Sequence, residues 1–402
     1  MPTGREDVEG DGADHLDHGP PSPPQARRML LVTVLVLVAA LVAVVALTRP
    51  DGSAAPEPTP SSPTTPGRPS TRPTPTPGPS GTADRYAPVQ DTLGAPVLPG
   101  ADPGWDLFLE GADEVFRVRL ATGELVRTRI RVPAGQGYSS AVVTGPEGLL
   151  TYSGPSATAQ LVPDDGPATE VALPGVEDPD TYPEVYPGPP GELWIAVRDA
   201  AGTIVLTRVD ARGRVIEGPR PVPVAGSLWA DGRGGLLLTA PGGLWQLEGD
   251  RARRLAVGSA TAVGARALVV VVCDDELACE RQVLDRDTGE VRVLGPADPH
   301  DTRYGLTGST SPDGRWWARW TLGSEGRPRV QVLDLGTGST VLEHELDADG
   351  LLDPLSSMTW TPDGGLLLLL TGDGLAAADP RTGQLTSLDA PTGELYRLSV
   401  RS

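Results

Sequence analysis

The chain has 402 residues, with 33 basic side chains, all of them arginine, against 53 aspartates and glutamates, for a net charge of −20. A surface of that sign repels phosphate backbones, which excludes nucleic acid as a natural partner. Glycine (50) and proline (43) are frequent for a globular chain, yet fall short of the share that marks disorder throughout.

Residues 1–28 hold six acids, three arginines and a proline cluster, with almost no apolar side chains. Such a segment cannot bury a core and is expected to be a disordered acidic cytoplasmic tail. His15 and His18 lie in it beside Asp14 and Asp17 and read as solvated. Residues 29–47, MLLVTVLVLVAALVAVVAL, carry no charge. At about 1.5 Å per residue they span roughly 28 Å, which suits a transmembrane helix. Arg27 and Arg28 precede the run, so the N-terminal side is expected to stay cytoplasmic and the remainder to be extracytoplasmic. A signal peptide cut after Ala46 is the rival, but the run exceeds the usual apolar region of about 7–15 residues. Residues 48–88 are rich in Pro, Thr and Ser and are expected to be an extended, disordered linker.

Residues 89–402 alternate short strand-like runs with turns. One unit recurs: an alternating strand, a turn closing on glycine, then another strand. It reads VFRVRLATGELVRTR, RQVLDRDTGEVRVL, VQVLDLGTGSTVLEH and LAAADPRTGQLTSL, with weaker copies between. The turn glycines, Gly123, Gly166, Gly213, Gly249, Gly289, Gly338 and Gly383, recur about every 43 residues. That is the size of a four-stranded propeller blade. A second turn, Pro312-Asp313-Gly314 or Pro362-Asp363-Gly364 in the strongest copies, is followed by a continuously apolar strand such as WWARW or LLLLL. Continuous apolar runs suit strands buried on both faces. The expected fold is all-β, a seven-bladed β-propeller, with six or eight blades as alternatives. ELYRLSV at 394–400 is expected to complete the first blade and close the ring.

The S/T-P-D-G-x-L/W pattern resembles that of bacterial TolB-type and WD-repeat-like β-propellers. The D-x-x-T-G-E turn is similar to that of outer-membrane-assembly and quinoprotein-type propellers. The resemblance covers about 300 residues as repeat grammar. It implies the fold and leaves function open. The Gly-His dipeptide and the terminal Trp-Asp of eukaryotic WD repeats are missing, as is the tryptophan that follows the quinoprotein turn.

Cys273 and Cys279 are the two cysteines, placed to form a disulfide in an exported hairpin. The exported part holds two histidines, His300 and His344, and no G-x-S-x-G. No catalytic residue and no metal ligand is therefore assigned, and no cofactor is expected. Tyr182, Tyr186, Trp229, Arg303, Tyr304 and Trp360 fall where the chain leads into blades or approaches their first turns. They are the candidate ligand- or partner-binding residues, set against the alternative that they pack or cap strands. The expected function is non-catalytic: a single-pass membrane-anchored binding or scaffold module for an envelope protein or small ligand. A propeller-based envelope hydrolase or lyase, and an extracytoplasmic sensor, are the alternatives.

Overall fold

The computed structural model describes residues 87–94, 97–131, 139–142, 148–153, 158–176, 183–199, 201–223, 225–298, 301, 306–323, 327–346, 356–371, 374–391 and 395–402. The expected tail, transmembrane helix and nearly all of the linker lie outside these residues. Among the described residues no helix is long and apolar enough to cross a membrane.

Each copy of the sequence unit folds as an antiparallel four-stranded meander. Meander I uses Asp106–Glu110, Glu114–Arg119 and Glu124–Arg129. Meander II runs from Ser139–Val142 to Thr169–Ala172, meander III from Glu184–Pro187 to Val215–Pro221, and meander IV from Ser227–Ala230 to Arg251–Ala256. Meander V runs from Ser259–Val263 to Val291–Pro296, meander VI from Gly308–Thr310 to Thr340–Glu345, and meander VII from Met358–Trp360 to Gln384–Leu388. The missing strand of meander I comes from the far end of the chain. Arg397–Arg401 pairs antiparallel with Asp106–Glu110, in register from Asp106 opposite Arg401 to Glu110 opposite Arg397. Val89–Thr92 adds a fifth strand on the opposite edge, against Glu124–Arg129. The first strands of II and III, of III and IV, and of V and VI touch, and Arg397–Arg401 takes that place in meander I, touching Met358–Trp360 and Ser139–Val142.

The hydrogen-bonded ladders correct the expected blade count. Among the described residues they delimit five single blades and one eight-stranded sheet, not seven separate blades. Meanders V and VI are fused because Ala262 pairs in parallel with Gly308, and Val263 with Ser309. Small residues permit the approach. A Cβ on Gly264 of meander V would stand 2.1 Å from Thr310 Oγ1 of meander VI.

Apolar clusters join each meander to the next. Phe108 and Ile130 meet Leu149 and Val162 between I and II, and Leu150 and Leu161 meet Ile195 and Val209 between II and III. The series continues until Leu368 and Leu375 of VII pack on Leu107 and Val118 of I. This explains the continuous apolar runs. In meander VII, Leu367 and Leu369 face VI while Leu368 and Leu370 face I. Leu236 and Leu238 likewise face III, and Leu237 faces V. A strand covered on both sides needs no polar face, and each such buried leucine contributes about 1.5–3 kcal/mol. The all-β propeller arrangement expected from the repeat is thus present.

The turns are built locally. In the S/T-P-D-G turns the hydroxyl of Thr361 donates to Asp363 Oδ1 at 2.7 Å and accepts from Leu366 N at 3.0 Å. Ser311 does the same, donating to Asp313 and accepting from Trp316 N at 2.9 Å. In the D-x-x-T-G turns the leading aspartate caps the backbone: Asp285 Oδ1 accepts from Asp287 N and Thr288 N, each at 2.9 Å. Gly364 and Gly289 close these two kinds of turn at φ of 73° and 75°, a left-handed conformation that glycine adopts without a Cβ penalty.

Candidate functional site

Three of the six candidate residues come together. Tyr186, Trp229 and Trp360 line one pocket of about 520 Å³. Its walls are the first strands of meanders III to VII with the ends of the turns that follow them. Tyr182, Arg303 and Tyr304 lie outside the described residues. The lining is mostly apolar: Val263, Leu306 and Met358 join the three aromatics.

The polar atoms of these aromatics are engaged with the protein itself. The Tyr186 hydroxyl donates to the Glu184 carboxylate at 2.6 Å and stands 3.2 Å from the Leu228 carbonyl oxygen of meander IV. Burial, reinforced by that carboxylate, pushes the phenol far above its ordinary range, so it stays protonated. Trp229 Nε1 donates to Thr239 Oγ1, and Trp360 Nε1 donates across to the Ser309 carbonyl of meander VI, each at 3.3 Å. Thr310 Oγ1 donates to Ala267 O of meander V at 2.8 Å. Among the described residues, the hydroxyls of Ser309 and Thr359 line the pocket without a hydrogen bond.

A buried ion pair fixes the wall between meanders IV and V. Asp231 follows the inner strand of IV, in the place that Ser311 and Thr361 hold in VI and VII. Its Oδ1 accepts from Arg233 N and Gly235 N, both at 2.7 Å. Its Oδ2 meets Arg286 Nη2 at 2.9 Å, and the same nitrogen donates to Gln246 Oε1 at 2.9 Å. The other nitrogen, Nη1, donates to the carbonyls of Asp231 and Gly264. Arg286 and Asp231 side chains are 6% and 4% exposed. Burial opposes the charge on Asp231, but the Arg286 hydrogen bond and the two backbone amides outweigh it and hold the carboxyl below its usual range.

A second buried cluster lies between V and VI. Arg319 Nη1 meets Asp301 Oδ1 at 2.8 Å, and its Nη2 meets Asp298 Oδ2 at 2.9 Å. Arg281 Nε stands 3.8 Å from Asp301 Oδ2. Burial raises the Asp301 carboxyl in spite of Arg319, and the neighbouring Asp298 charge adds to the rise. Burial also opposes the charge on Asp298, but Arg319 prevails and lowers it. Both aspartates serve one guanidinium, and the more buried one takes the proton more readily.

Among the described residues, no carboxylate, histidine or cysteine lines the pocket. Among the described residues no three histidine, cysteine, aspartate or glutamate side chains gather as a metal site requires. Cys273 and Cys279 face each other across a hairpin and are joined by a disulfide, with their Cα atoms 4.0 Å apart. His344 lies half-buried on the outermost strand of meander VI. The other strand tryptophans pack between blades: Trp194 and Trp245 between III and IV, Trp317 between V and VI, and Trp316 and Trp320 between VI and VII, where Trp360 packs as well.

Sequence reasoning did not single out Ser309, Thr359 or Met358. Their signal was positional, since each lies two or three residues before the Ser311 or Thr361 that opens a first turn.

No family model and no curated protein matches the chain. Among solved structures it is similar to AztD from Citrobacter koseri, at 11% identity and a TM-score of 0.41, over 74% of this chain and 97% of that one. It is also similar to the dihydro-heme d1 dehydrogenase NirN, at 14% identity and a TM-score of 0.43, over 81% and 82% of the two chains. TolB from Acinetobacter baumannii is similar at 16% identity and a TM-score of 0.38, over 74% and 82%. At these identities and scores none of them carries an assignment to this chain.

Proposed function

We propose that the chain is a single-pass membrane-anchored, extracytoplasmic propeller that acts as a non-catalytic binding module for a small ligand or an envelope protein. The observation that carries this reading is the pocket that unites Tyr186, Trp229 and Trp360 on five neighbouring inner strands. Aromatic faces in a concave site favour binding. Acid–base or nucleophilic chemistry needs a titratable group free to move a proton. Among the described residues of the lining, Tyr186 is the one titratable group, and its phenol is held protonated and engaged with Glu184. The apolar run 29–47 behind Arg27 and Arg28 supports the anchor and its orientation.

The test is a crosslinked pull-down of the full-length protein from its own membranes, against the same anchor and linker without the propeller. A specific envelope partner, or a co-purifying small molecule, retained by the propeller alone is the expected result. Retention equal in both samples would overturn the binding role. Protease added to intact cells should digest the propeller, and a protected propeller would overturn the topology.

A further inference from the structure

We infer that the inner-strand pocket takes an uncharged, mainly apolar, ring-bearing small molecule, held by its body against Trp229, Trp360 and Met358 and by one polar end at Ser309 and Thr359. The inference rests on the binding-module reading above and names its ligand class.

The argument is one of satisfied and unsatisfied groups. Two donors that line the pocket bond to a neighbouring meander: Thr310 reaches V and Trp360 reaches VI. The Tyr186 hydroxyl donates to Glu184 of its own meander. Trp229 bonds within its own meander to Thr239. A ligand therefore meets ring surface rather than these donors, chiefly that of half-buried Trp229, since Trp360 is 6% exposed. The charged pair nearest along the chain, Asp231 and Arg286, is closed on itself and on backbone carbonyls. Among the described residues of the lining, a ligand charge would lose water and find no counter-charge, a loss larger than apolar contact returns. A sugar, with hydroxyls on every side, would likewise leave most of them unpaired.

Two hydroxyls remain. Ser309 and Thr359 sit on the adjacent inner strands of VI and VII, both line the pocket, and neither side chain carries a hydrogen bond among the described residues. They offer hydroxyls on two successive inner strands of a mostly apolar lining, the kind of polar group that orients a ligand with a single polar end. A cavity of about 520 Å³ holds a molecule of two or three fused rings.

The test is titration calorimetry on the full-length chain in detergent micelles, with empty micelles subtracted. Three probes share one ring system: naphthalenemethanol, naphthoate and naphthylmethylammonium. The alcohol should bind at one saturable site, and both ions should bind at least about tenfold more weakly. Trp229→Ala should weaken the alcohol by about tenfold or more. Thr359→Val should weaken it by about threefold to tenfold while leaving unsubstituted naphthalene unchanged. Because the charge series uses the unaltered chain, it stands even if a variant folds poorly. An ion that binds as tightly as the alcohol overturns the ligand class and leaves the binding role standing. Saturable alcohol binding that Trp229→Ala does not weaken overturns the site. Absence of saturable binding by all three probes overturns the inference, and the pull-down then judges the binding role separately.

Discussion

Two of the seams that buried arginines hold use them differently. At the closing seam Arg401 joins residues far apart in sequence. Its Nη2 meets Asp106 Oδ2 at 2.5 Å within meander I and Asp164 Oδ2 at 2.8 Å in meander II, where Arg117 also reaches Asp164 at 3.1 Å. At the pocket seam Arg286 holds backbone: it takes the carbonyls of the two turns that form the pocket wall. The first arginine ties the two ends of the ring together, and the second fixes a binding surface. Loss of one should unfold the ring, whereas loss of the other should soften the pocket as well as the fold.

Deleting residues 395–402 breaks the closing seam outright. It removes the inner strand of meander I, its ladder to Asp106–Glu110, buried Leu398 and the Arg401 clamp. The melting temperature should drop further than for any single substitution, in one transition. An unchanged melt would show that the ring does not depend on this strand.

Next comes Asp231→Asn, which leaves Arg286 buried without its counter-charge. The expected loss is about 3–5 kcal/mol, read by denaturant unfolding. Its pH dependence sharpens the contrast. The folded-state carboxyl of Asp231 lies below its usual value. Its stabilisation is therefore present above the unfolded pKa and is lost as pH falls through the lower, folded value. The variant should lack that acid limb.

Removing the disulfide by Cys273→Ser and Cys279→Ser touches neither seam. The hairpin loop is short, so the cost should be about 2 kcal/mol on the loop-entropy account, with alcohol binding in the pocket unchanged. Alkylation of Cys273 without reductant would contradict the bond.

Asp301→Asn should have the smallest effect, under about 1 kcal/mol near neutral pH, because Arg319 keeps Asp298 as a partner at 2.9 Å. Here the sign is reversed. The folded-state carboxyl of Asp301 is raised, so its contribution is present below the unfolded pKa and is lost as pH rises through the folded one. The variant should flatten this part of the stability profile, and a steeper profile would show that the carboxyl is not raised.

What the sequence made legible follows from where the determining contacts lie. The turns were readable because their hydrogen bonds close within five residues, as from Thr361 to Leu366. The doubly buried strands were readable because Leu367 to Leu370 leave no polar face. Ring closure was readable because an unpaired strand followed the last repeat. The fusion of V and VI was not, since it depends on a two-residue parallel contact between Ala262 and Gly308 that leaves no periodic mark. The site was half legible. Tyr186, Trp229 and Trp360 stood out by their chemistry. Ser309 and Thr359 are ordinary residues that acquire meaning when two inner strands, separated in sequence by the three outer strands of meander VI, line one pocket.

The Asp106–Arg401 pair has a consequence for how the protein is made. The two residues are 295 positions apart. At synthesis rates of about 5–20 residues per second, meander I must wait on the order of 15–60 s for its inner strand after its own residues have emerged. Throughout that interval the edge of Asp106–Glu110 is an open ladder, able to accept a strand from another chain. The newborn protein is thus vulnerable to association at meander I until a segment translated 295 residues later covers its edge.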